Sequence, residues 1–145
     1  QVNANLEGSV ELLAYVAEGE AYTAEGGAYY PGDTVSVTLY WRALRTLDQD
    51  YKVFVHLTDA AVTRQPAQHD GDPGGGFTPA TRWLPGEIVP DTHHLRLPTD
   101  LEPGHYRLWA GMYEHETVRN LTILSADTPA ADGRVMLGEI EVSAP

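Results

Sequence analysis

The chain has no cysteine among its 145 residues, which excludes disulfides, thiolate nucleophiles and cysteine metal sites together. Lysine occurs once, at Lys52, and nine basic residues stand against 21 acidic ones for a formal net charge of -12. A surface this negative repels phosphate backbones and anionic lipid, so nucleic acid is not expected as a partner. No apolar run approaches the roughly 18 residues of a membrane span, and no direct membrane insertion is expected. No glycine loop ends in Lys-Ser or Lys-Thr, and Ser9, Ser36, Ser125 and Ser143 lie in no G-x-S-x-G elbow. With neither a phosphate loop nor a nucleophile motif, the residues point away from an enzyme. Amphipathic helical periodicity is missing too.

What the chain does contain is alternation. Between positions 34 and 41, Val35, Val37, Leu39 and Trp41 fall on one face, and Thr34, Ser36, Thr38 and Tyr40 on the other. That is a half-buried strand rich in β-formers. Tyr51, Val53, Val55 and Leu57 repeat the pattern, as do Tyr106, Leu108, Ala110 and Met112. Val10, Leu12, Ala14 and Val16 predict a first strand; Leu95 with Leu97, Leu121 with Ile123, and Ile140 with Val142 predict three more. Pro31-Gly32, Pro85-Gly86 and Pro103-Gly104 suit the centre of a type II turn, and Asp132-Gly133 introduces the last strand. About 7–9 short strands predict an all-β fold, an antiparallel two-sheet β-sandwich of immunoglobulin-like or jelly-roll topology. Residues 1–145 read as one domain.

Residues 68–91 (QHDGDPGGGFTPATRWLPGEIVPD) read as a long functional or covering loop, with Phe77 or Trp83 inserted against the sandwich. Within it, Asp70, Asp72 and Asp91 are candidate oxygen ligands for calcium. The complete calcium-loop motif is missing, and the same aspartates can cap turns through backbone amides. No other cofactor is expected. His93 and His94 are adjacent in a strand and point to opposite faces, so they do not make a zinc pair. Asn120-Leu121-Thr122 is an N-glycosylation sequon.

Opposite the predicted core positions lie Tyr40, Phe54, His56, Trp109 and Tyr113. Exposed together, these rings would form a sugar-stacking platform or an interface anchor. The alternative is that the 68–91 loop folds back and buries them.

The runs YPGDTVSVTLYWRAL, DYKVFVHL, QHDGDPGGG, TRWLPGEIVPD, LEPGHYRLWAGMY and LGEIEV resemble an uncharacterised bacterial extracytoplasmic β-sandwich domain. That domain is often appended to membrane-bound glycosyltransferase-like proteins. The resemblance runs from about position 12 to 142 and implies a non-catalytic module outside the cell or at its surface. Two functions fit. One is a structural module that self-associates, for example as the subunit of a surface filament, with residues 1–6 packing on this domain or on a neighbouring copy. The other is a carbohydrate-binding module that uses the aromatic face, with calcium optional.

Overall fold

The computed structural model describes residues 1–19 and 29–144. They form ten strands: β1 (Ala4–Leu6), β2 (Val10–Gly19), β3 (Thr34–Ala43), β4 (Tyr51–Asp59), β5 (Ala67–Gly71), β6 (Ile88–Arg96), β7 (Gly104–Glu114), β8 (Ile123–Ser125), β9 (Ala130–Ala131) and β10 (Arg134–Val142). Two short 3₁₀ turns, Pro73–Gly76 and Ala80–Arg82, are the only helical elements among the described residues. No helix there is long and apolar enough to cross a membrane.

The strands pair antiparallel into two five-stranded sheets, ordered β6-β3-β2-β1-β8 and β5-β4-β7-β10-β9. Among the described strands the chain changes sheet five times, between β3 and β4, β5 and β6, β6 and β7, β7 and β8, and β8 and β9. This is the immunoglobulin-like form of the predicted sandwich rather than a jelly roll. A tyrosine corner accompanies it: the Tyr106 hydroxyl donates to the Glu102 carbonyl at 2.6 Å, just where β7 begins.

The inner faces meet as the alternation predicts. Val35, Val37, Leu39, Trp41, Val53, Val55, Leu57, Tyr106, Leu108 and Met112 are all buried in one hydrophobic core. Pro31-Gly32 and Pro85-Gly86 make the expected turns, closed by Asp33 N–H on the Tyr30 carbonyl and Glu87 N–H on the Leu84 carbonyl. Asp132 and Gly133 both have positive φ and join β9 to β10 in a tight hairpin.

Four expectations are corrected. Among the described residues there are ten strands, not about 7–9, because β1, β5 and β9 are too short or too polar to show alternation. The first predicted strand changes face midway. The register of β2 on β3 shifts between Leu12 and Ala14, so Tyr15 and Ala17 pack on the core while Val16 is 43% exposed. Tyr15 reaches across to the second sheet at Gly138, where a Cβ would lie 2.1 Å from its hydroxyl.

The third correction concerns 68–91, which is not one loop. Its start lies in β5, its end in β6, and its centre carries the two 3₁₀ turns. Trp83 is 3% exposed and its indole N–H donates to the Thr78 carbonyl at 2.8 Å, whereas Phe77 is 89% exposed. The segment bridges the edge between β5 and β6, and the Pro73–Gly76 turn packs on β6 and β4.

Last, residues 1–6 belong to their own domain. β1 pairs with β2 on one side and β8 on the other, and Val2, Ala4 and Leu6 are wholly buried.

Candidate functional site on the outer face of the second sheet

The outer face of the second sheet is built from alternate residues of β5, β4, β7 and β10. Cross-strand register sets the rows: Gln68, His56, Trp109 and Met136 form one, and Asp70, Phe54 and Gly111 the next. Lys52 pairs with Tyr113 in a third. Gly111 makes the second row workable. A Cβ there would lie 2.5 Å from Phe54 Cζ, so only glycine lets the phenyl ring lie flat over β7.

Rings then run along the face. Phe54 and His56 have centroids 4.4 Å apart and Phe54 and Tyr113 6.3 Å, both tilted. Polar groups tie the ring edges together. The Tyr113 hydroxyl donates to Asp70 Oδ2 at 3.0 Å, and the Trp109 indole N–H to Thr58 Oγ1 at 2.9 Å. Arg134, carried in from β10, sits 4.9 Å from the Trp109 ring centroid. Its Nη1 donates to His56 Nδ1 at 3.0 Å and to Gln65 Oε1 at 3.2 Å. Gln65 in turn donates to Gln68 Oε1 at 2.8 Å.

The expected site residues are therefore only partly assembled. His56 and Tyr113 are half-buried members of this face, but Phe54 and Trp109 are 2% and 4% exposed, not an open platform. Arg134 lies over the Trp109 ring. Tyr40 lies elsewhere, on β3 in the other sheet. The three aspartates go separate ways: Asp70 holds Tyr113, Asp72 pairs with Lys52 at 2.7 Å, and Asp91 is buried. Among the described residues, no three His, Asp or Glu side chains converge as metal ligands. Asn120 uses its amide to donate to the Asp132 carbonyl at 3.2 Å.

Asp91 instead anchors a polar chain inside the seam between the sheets. It accepts from Trp41 Nε1 at 3.1 Å, from Gly74 N–H at 2.8 Å and from His93 Nε2 at 2.7 Å. His93 Nδ1 faces His69 Nδ1 at 3.0 Å, a hydrogen-bond distance that links the two rings across the seam.

His56 on the outer face and His69 in the seam make stability depend on pH. Burial first, then Arg134, push His56 down from 6.5 to about 4, with Asp70 opposing. His69 is lowered too, by burial first and then by His93. Because both bases bind protons more weakly when folded, the unfolded chain is protonated first as pH falls below about 6.5. Stability is full above that pH and declines toward pH 4. His56 contributes on the order of 1–2 kcal/mol of the decline, allowing for its contact with water. Urea midpoints at pH 7 and pH 5 test this. We expect the lower midpoint at pH 5 and a smaller gap in His56→Gln; equal wild-type midpoints would reject the assignment.

Sequence reasoning missed Arg134, Gln65 and Gln68. Gln68 was readable, since it stands two residues before Asp70 and shares its face. Arg134 was not, because nothing local brings β10 against His56.

No family model and no curated protein matches the chain. Among solved structures it is similar to the crystal structure of the C-terminal domain of Wzt, with a TM-score of 0.59 at 10% identity over 99% of this chain and 78% of that one. At that identity the likeness is one of fold, and it agrees with the sequence resemblance only at the level of a β-sandwich that forms one part of a larger protein.

Proposed function

We propose that this domain is a non-catalytic carbohydrate-binding module whose ligand lies along the outer face of the second sheet, outside the cell or at its surface. The observation that carries the reading is the interleaving of rings with bifunctional polar groups at Tyr113, Asp70, His56, Gln68, Gln65 and Arg134. Sugars offer apolar C–H faces that stack on the half-buried Tyr113 and His56 rings, and vicinal hydroxyls that pair with carboxylates, amides and guanidinium. A few convergent polar groups beside apolar surface is the usual composition of such sites. The other outer face offers less: Thr38 bonds Thr92 and Ser36 bonds His94, with Tyr40 as its aromatic beside them. The charge of -12 favours neutral glycans over acidic ones.

Self-association through residues 1–6 has less support. To enter a neighbour's sheet, β1 would have to leave its place between β2 and β8 and uncover Val2, Ala4 and Leu6.

Affinity electrophoresis through gels containing neutral polysaccharides tests the proposal. Wild-type protein should be retarded by at least one polysaccharide, Tyr113→Ala should weaken binding about ten-fold, and Tyr40→Ala should leave it unchanged. Retardation by none of a broad panel, or a loss confined to Tyr40→Ala, would refute it.

A further inference from the structure

Next to this face lies a cleft of about 360 Å³, between the β4–β5 hairpin and the loop entering β7. Both walls are fixed from within. On one side the Asp59 carboxylate accepts from the backbone N–H groups of Thr63 and Arg64 at 2.7 and 3.1 Å. On the other, Leu101 N–H donates to the Pro98 carbonyl at 3.3 Å and the tyrosine corner clamps Glu102. Leu101 and the Tyr106 ring, 8% and 7% exposed, supply apolar lining. Gln65 lines the cleft and also bonds Arg134 and Gln68, so cleft and sheet face are continuous.

Three charged side chains in the cleft are unspent. Among the described residues, the Arg64 guanidinium and the Asp100 and Glu102 carboxylates make no side-chain hydrogen bond and no ion pair, unlike Asp59. With Asp59 the lining carries three negative charges and one positive, within a chain of net charge -12. Such a cleft disfavours a phosphate, sulfate or uronic acid and favours a group that is cationic yet otherwise a hydroxyl-rich ring.

We propose that this cleft is a subsite for a terminal sugar residue bearing a free amine, at one end of the glycan on the sheet face. The inference rests on the carbohydrate-binding reading above. Asp100 and Glu102 pair with the ammonium, Arg64 donates to hydroxyl oxygens, and the sugar ring rests on Leu101 and Tyr106. The size suits it, since small-molecule sites begin at about 300 Å³. N-acetylation removes the positive charge and adds bulk, so the acetylated sugar loses the interaction.

The test compares two neutral-backbone trisaccharides differing at one position, a terminal 2-amino-2-deoxyglucose against its N-acetyl form, by isothermal titration. Wild-type protein should bind the amine form about five- to ten-fold more tightly, the scale of a partly exposed charge pair. Asp100→Asn with Glu102→Gln should abolish the preference and leave affinity for the acetylated form unchanged. Tyr113→Ala should weaken both ligands alike. A control pair beyond the opposite ends of β4 and β7 from the cleft, Glu116→Gln with Asp48→Asn, removes the same charge and should keep the preference. Equal binding of the two sugars, or loss of the preference in the control pair, overturns the subsite and leaves the sheet-face reading standing. Failure of both trisaccharides and of all polysaccharides to bind refutes the sheet-face reading and the subsite with it.

Discussion

Trp41→Ala is expected to remove about 4–5 kcal/mol of stability, a large part of the roughly 5–15 kcal/mol that holds a domain together. Trp41 is fully buried on β3, between Leu12 of β2 and Val89 of β6. Truncation leaves a large hole, since Trp41 is the bulkiest of the fully buried side chains among the described residues. It also takes from Asp91 one of its three donors. Trp41→Phe keeps most of the bulk while losing the indole N–H, so it should cost nearer 1–2 kcal/mol. Urea titrations of the three proteins measure both quantities. An alanine cost below about 1.5 kcal/mol would mean that the sheets do not meet around this ring.

Asp91→Ala should be almost as damaging, about 3–5 kcal/mol, although it removes few atoms. The loss lies in what is stranded: the indole N–H of Trp41, the backbone N–H of Gly74 and His93 Nε2, all facing Asp91 in the seam. Buried donors without acceptors cost about 1–3 kcal/mol each, partly relieved by local movement. Asp91→Asn keeps one carbonyl oxygen but turns an amide toward a donor, so an intermediate cost is expected. Amide hydrogen exchange gives a second measure, since Gly74 N–H should lose protection in Asp91→Ala well before the β3 amides do. A neutral Asp91→Ala, or unchanged Gly74 exchange, would show that the chain of contacts does not hold the seam.

That seam explains why the fold was more legible than the segment crossing it. Strands β3, β4 and β7 announce themselves because every inward residue is apolar. In β5 the inward positions are Ala67, His69 and Gly71, and β6 turns Asp91 and His93 into the core. Polar side chains that satisfy one another in the interior carry no hydrophobic period, so 68–91 read as a loop. The extra residue in β2 was invisible for a related reason: both of its registers offer apolar side chains. At the candidate site, alternation placed Phe54, His56, Trp109 and Tyr113 on one face, but not the sheet to which Tyr40 belongs. Sheet membership depends on where the chain crosses over, and burial of Trp109 depends on Arg134, which is remote in sequence.

The placement of β1 between β2 and β8 also governs how this chain comes into being. Asn3 donates to Asp127, 124 residues further on, and Asn5 pairs with Ser125. A nascent chain leaving the ribosome therefore cannot complete the first sheet until β8, Ile123–Ser125, has emerged, and β7 waits equally for β10. Until then the edge of β1 that will meet β8 is open to any passing strand. Contacts this distant in sequence put the domain among slow folders, with times of milliseconds to seconds.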